Sequence, residues 1–154
     1  THNNRIVCVD SVKLLNNYEG MKRARLEYQQ KSTGWQANVD SLTHDLQRQI
    51  SAYEKERSRL SVKERQLSEE LIRTKQKQLA DYKQALTTNA QQEDAKMTGN
   101  VVSQVNAYLK RYGEAKGYTV ILAATEYGNL AFVDSEFDVT EEVLQGLNKE
   151  YSGK

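Results

Sequence analysis

From Glu19 to about Tyr112 the chain contains no proline, and its apolar residues recur every three to four positions. A helical pattern this long exceeds the roughly 8–20 residues of an ordinary globular helix. It predicts a coiled coil or a long helical hairpin projecting from a small base, with a short β-like piece at each end. Such a form suits holding, spacing or gripping, and it argues against a buried active site. Proline is absent from all 154 residues, in keeping with uninterrupted helices, because an interior proline costs about 3 kcal/mol.

The length predicts one domain. Apolar residues make up 38% and charged residues 28%, against roughly 45–50% apolar in a usual domain. A thick core is not expected, yet the periodicity is too regular for disorder. The net charge is +1 but uneven: residues 19–113 hold 17 Lys and Arg against 12 Asp and Glu, so the ends carry the acidic balance. Either the helices present an ordinary solvated surface, or clustered copies attract anionic partners. The single cysteine, Cys8, excludes an internal disulfide and lies in an apolar run that reads as buried. No apolar run approaches a membrane span of 18 residues or more. A chain beginning at Thr1 is expected to have lost a secretory leader.

Arg5–Val9 reads as a short buried strand. Asp10 or Ser11 caps a brief helix with Val12, Leu14 and Leu15 packing inward, and Asn16, Asn17 and Gly20 suggest a bend. The helical stripe then runs through Met21, Ala24, Tyr28, Lys31, Trp35, Val39, Leu42, Leu46, Ile50, Tyr53, Arg57 and Leu60. Its mean step is about 3.5, the spacing of a heptad seam. Ser61-Val62-Lys63-Glu64 fits a capping box, which places a hairpin tip near 58–61. The alternative is one continuous helix, since no glycine or proline marks a turn there. The stripe resumes at Leu67, Leu71, Lys75, Leu79, Tyr82, Leu86, Ala90, Glu93, Met97, Val101, Val105, Tyr108 and Tyr112. Here the mean step is about 3.75, so the stripe drifts right-handed instead of holding one seam. An antiparallel hairpin would bring Trp35 near Tyr82–Leu86 and Tyr53 near Leu67.

Tyr118–Thr125 is the strongest strand signal. Turn chemistry at Glu126–Asn129 and a second run at Leu130–Val133 predict a β-hairpin. Asp138 with Glu141, or Thr140 itself, caps a last helix bearing Val143, Leu144 and Leu147. The predicted class is therefore α+β: residues 1–18 plus 114–154 form a β-rich body, and 19–113 form the helical hairpin arm. So few short strands leave open edges and too little core. The body is expected to be completed by oligomerisation, through Ile6, Val7, Val9, Val120, Ile121, Leu122, Leu130 and Phe132.

The opening segment Arg5–Tyr18, the long charged arm, and the closing segment Gly117–Tyr151 together resemble the Skp/OmpH family of periplasmic chaperones from Gram-negative bacteria. The resemblance spans nearly the whole chain. It implies a homotrimer in which the strands of three chains build a shared body and three hairpins enclose a cavity. It also implies an ATP-independent holdase that keeps unfolded outer-membrane proteins from aggregating in the periplasm. An anionic lipid or lipopolysaccharide is a further partner it suggests. Family members are strongly basic, whereas this chain is near neutral.

Under this reading Tyr28, Trp35, Leu46, Tyr53, Leu71, Leu79, Tyr82, Leu86 and Met97 pack within the arm or meet the client. Arg57, Arg59, Lys63 and Arg65 form a basic arm tip. No nucleotide-binding loop, nucleophile elbow or Cys/His cluster is present. Neither an enzyme nor any metal or cofactor is expected, and no nucleic-acid partner. A coiled-coil scaffold without chaperone activity is the main alternative. A prefoldin-like or membrane-surface arm is another.

Overall fold

The β-branched run at Ile6–Asp10 forms strand β1, and Val120–Ala124 forms β2. In the computed structural model, which describes residues 5–154, the two pair in parallel, with Ile6 opposite Val120 and Asp10 opposite Ala124. A parallel pair needs a long crossover. Here the crossover consists of helices α1 (Ser11–Asn17), α2 (Glu19–Glu56) and α3 (Val62–Lys116). A last helix, α4, spans Thr140–Ser152.

The predicted hairpin after β2 does not form: Leu130–Val133 is not a strand. The reason is local. Asn129 Oδ1 accepts from the Thr125 amide at 2.7 Å, and its Nδ2 donates to the Ala123 carbonyl at 2.9 Å. These are the groups a returning strand would use, so the side chain closes the turn in place of a ladder. Gly128 supplies the positive φ of 71° that the turn requires. The other edge of β1 is covered instead by the segment before α4, where the Val139 amide donates to the Cys8 carbonyl at 2.9 Å.

Asp10 caps α1 by accepting from the Val12 and Lys13 amides. Leu14 is buried and Leu15 half-buried, but Val12 turns to solvent. Two residues of helix rotate a side chain by about 200°, so Val12 and Leu14 lie on opposite faces. The bend falls at Tyr18, whose backbone is extended between α1 and α2. Gly20 is inside α2, and a Cβ there would sit 2.5 Å from the Tyr18 ring.

Between α2 and α3 the chain reverses. A 3-10 turn at Arg57–Arg59 and an extended Leu60 separate them, so the single-helix alternative is excluded. Ser61 Oγ accepts from the Glu64 amide at 3.2 Å and donates to Glu64 Oε1 at 3.0 Å. Glu64 thus answers the cap through the hydroxyl. Arg65 Nε donates to the Arg57 carbonyl at 2.9 Å, satisfying an acceptor left over from the turn.

Two compact units result: Tyr28–Asp94, and a second comprising the residues up to Glu27 together with Ala95–Lys154. The second contains the sheet and one hydrophobic core built from Val7, Val9, Leu14, Tyr18, Met21, Val101, Val105, Tyr112, Val139, Val143, Leu144 and Leu147. Met21, Val101, Val105 and Tyr112 come from the long helices. They supply the apolar material that the strands and short helices lack, so the core closes within one chain. The first unit is an antiparallel helix pair. Tyr28 Oη donates to the Ala90 carbonyl at 3.2 Å, Lys31 pairs with Glu93 at 3.3 Å, and Tyr53 Oη donates to Glu69 at 2.6 Å.

Candidate functional site

The two units present different surfaces. In the sheet unit, the side-chain alternation of β1 and β2 separates two sets of residues. Val7 and Val9 are buried, and Ile121 packs against the same core. Ile121 Cδ1 lies 3.1 Å from where a Gly113 Cβ would stand. These three, expected at a contact between chains, belong to the chain's own core. The opposite set, Ile6, Val120 and Leu122, stays exposed, with Leu122 at 40%. Ile6 faces Val120 across the ladder, so the three form one apolar patch. Leu130 is half-buried, while Phe132 is 84% exposed, as are Tyr127 and Phe137 in large part. Among the described residues, the outer edge of β2 pairs with no strand.

In the helix-pair unit, Tyr28, Trp35, Leu46, Tyr53, Leu79, Tyr82 and Leu86 are half-buried along the seam, and Met97 is likewise half-buried on α3 in the sheet unit. Tyr28 meets Trp35 edge-on, with centroids 6.2 Å apart. Leu71, expected to pack within the arm or meet the client, is 54% exposed, and Ile72 takes the inward position. Leu67 and Leu42 are also exposed, with Ser68 and Thr43 turned inward instead. Each leucine precedes the seam residue by one position, about 100° around the helix. At two of these places a polar residue, Thr43 or Ser68, holds the seam, and the neighbouring Leu42 or Leu67 is left outside. Tyr53, expected near Leu67, reaches Glu69. That hydrogen bond raises the Tyr53 phenol above its ordinary value.

At the tip, Arg57, Arg59 and Lys63 are exposed and Arg65 is half-buried. Arg59 approaches Glu56 at 4.0 Å, a surface contact of little energetic weight. Val62, which the sequence reading did not single out, is 70% exposed among these cations.

Around the sheet unit's core, Lys116 pairs with Glu142 at 2.9 Å, and Arg111 with Glu150 at 2.9 Å. The hydrogen bond from Lys116 holds the Glu142 carboxyl below its ordinary range. Burial raises the Tyr112 phenol well above its own. The two ion pairs brace α4 against α3. Among the described residues no group of His, Cys, Asp and Glu could hold a metal ion. Among the described residues no helix is long and apolar enough to cross a membrane either. What the geometry offers is apolar patches and cations, a chemistry of adhesion.

The model of a family described as outer membrane protein, OmpH-like, matches residues 5–147. None of the curated proteins matches the sequence. A crystal structure of a candidate outer membrane chaperone, OmpH-like, from Caulobacter crescentus CB15 superposes with a TM-score of 0.86. It is 12% identical and covers 97% of this chain and 89% of its own, so the likeness is one of fold.

Proposed function

The chain belongs to the OmpH-like family, and on that premise we propose that it is an ATP-independent holdase for unfolded outer-membrane proteins. It acts in the periplasm of a Gram-negative bacterium. The observation that carries this reading is the placement of apolar side chains. The helix pair turns Leu42, Leu67 and Leu71 outward while Thr43 and Ser68 occupy seam positions. A purely structural coiled coil would hide its leucines and expose its threonine and serine. Exposed apolar residues scattered along helices give diffuse contact, each gaining about 25 cal/mol per Å² of client surface removed from water. Many weak contacts sum when several copies act together.

The copies are three in this proposal. The patch of Ile6, Val120 and Leu122, the exposed Phe132 and the open edge of β2 form the joining surface. An uncovered apolar edge invites pairing with another chain. The helix pairs of the trimer enclose the client. Residues 48–83 carry 10 basic and 6 acidic side chains, an excess that steers acidic clients over a Debye length of about 8–10 Å. Arg57, Arg59 and Lys63 beside the exposed Val62 also fit an anionic lipid or lipopolysaccharide surface, which co-sedimentation with anionic vesicles tests.

Two measurements decide the main reading. Sedimentation of the purified protein is expected to give three chains. Light scattering of an unfolded β-barrel protein diluted from urea is expected to stay flat at one trimer per client. Aggregation at the rate of the client alone would refute the holdase.

A further inference from the structure

A cleft of about 600 Å³ lies between α2 and α3 in the helix-pair unit. Pockets of 300–1,000 Å³ are the usual size for organic ligands. Leu42, Leu46, Leu79 and Tyr82 give it apolar walls, and Asp45, Arg48, Gln49, Lys75 and Gln78 are its polar members. Leu42 is 45% exposed at this cleft. Gln49 has its Oε1 shut from solvent with no donor bonded to it. A shielded acceptor of that kind costs stability until a donor arrives. On the rim, Arg48 is engaged by Asp45 at 3.4 Å. Lys75 stands in the seam position between Ile72 and Leu79 and forms no ion pair among the described residues. The site thus combines an apolar slot, an acceptor lacking a donor, and a cation lacking an anion.

We infer that this cleft is a subsite for one feature of an unfolded polypeptide: a Trp or Tyr side chain beside a carboxylate. The inference rests on the holdase reading and adds a fixed position to its diffuse contacts. The ring lies between the leucines and Tyr82. Its indole N–H or phenol O–H donates to Gln49 Oε1 once the amide turns toward the slot. The neighbouring Asp, Glu or chain-end carboxylate meets the Lys75 ammonium. Strands of membrane β-barrels carry girdles of aromatic residues, so an unfolded barrel protein offers such rings repeatedly.

The test titrates the methyl-labelled protein with N-acetyl-tryptophan, N-acetyl-tryptophanamide, N-acetyl-phenylalanine and octanoate, read by NMR. Saturable shifts are expected at the methyls of Leu42, Leu46 and Leu79. The acid should bind about fivefold tighter than the amide, as one surface charge pair at ~4 Å supplies. Lys75→Gln should abolish that preference, and Gln49→Leu should remove the advantage of N-acetyl-tryptophan over N-acetyl-phenylalanine. Shifts that fail to saturate, an acid preference surviving Lys75→Gln, or tighter binding of octanoate, which would assign the slot to lipid chains, each overturn the inference. Client protection by Lys75→Gln is then compared with the parent. Unchanged client protection by the variant overturns the client subsite and leaves the holdase intact. If the parent itself gives no protection, both fall, whatever the probes show.

Discussion

Ile121 and Leu122 are neighbours in one strand and face opposite ways, which turns a single-residue shift into a test of the whole arrangement. Ile121 packs on the core against Gly113, whereas Leu122 stands in the exposed patch. Leu122→Asp should leave each chain folded, because substitutions at partly exposed positions shift stability by about 0.5 kcal/mol, plus up to ~1 for strand preference. Its effect falls on assembly. Fully burying a leucine is worth about 1.5–3 kcal/mol. With 40% of Leu122 still exposed, each copy forfeits about 0.6–1.2 kcal/mol, or roughly 2–4 across three copies. Three new carboxylates brought together add repulsion of about 1 kcal/mol or more per close pair. Association should weaken by roughly a hundredfold or more, since 1.4 kcal/mol is tenfold. Ile121→Asp should behave differently. It buries an unpaired charge in the core, a cost of several kcal/mol against a total stability of about 5–15. Sedimentation and circular dichroism of both variants, measured together, read the outcome. The expected result is a folded, dissociated Leu122→Asp protein and an Ile121→Asp protein whose sheet unit melts. A Leu122→Asp trimer as tight as the parent would refute the assembly surface. An Ile121→Asp protein as heat-stable as the parent would refute the inward packing.

Three further outcomes are expected. Gly20→Ala should destabilise the sheet unit by about 1–3 kcal/mol through crowding of the buried Tyr18 ring, although alanine favours a helix by up to ~1 kcal/mol; a higher melting temperature would show that Tyr18 can move aside. Because Glu142 is held below its ordinary carboxyl value, its contribution to stability is complete above the unfolded value of about 4.3 and is lost as pH falls through the lower folded value. Glu142→Gln should therefore flatten the acid limb of melting temperature against pH, and parallel curves for variant and parent between pH 6 and 3 would rule out the Lys116 pairing as a source of stability. Neutralising Arg57, Arg59 and Lys63 together, with Arg65 kept for its bond to the Arg57 carbonyl, should slow client capture at low salt and little at high salt; equal rates in dilute buffer would make these cations a plain solvated surface.

Much of this fold is written in local chemistry. A proline-free stripe with a step near 3.6 dictates two long helices. The Ser61–Glu64 cap stops the second from merging with the first, even without glycine or proline. Asp10 as a cap and the β-branched strands follow equally from short-range preferences. Leu71 and Leu42 were less legible, because each has a neighbour that can face the seam in its place, and only the partner helix selects Ile72 and Thr43. The cleft beside Gln49 and Lys75 had no sequence signal at all, since it arises from how two distant segments are spaced.

What the sequence by itself determined was therefore the set of elements and the long helical pattern. Those depend on backbone propensity, capping and periodicity, which act over a few residues. Only the tertiary structure decided that β1 and β2 run parallel, that Leu130–Val133 leaves the sheet, and that Val7, Val9 and Ile121 face inward while Val120 and Leu122 do not. Those outcomes depend on groups far apart in the chain competing for the same burial and the same hydrogen bonds. Met21, Val101, Val105 and Tyr112 closed a core that the short end segments could not close by themselves.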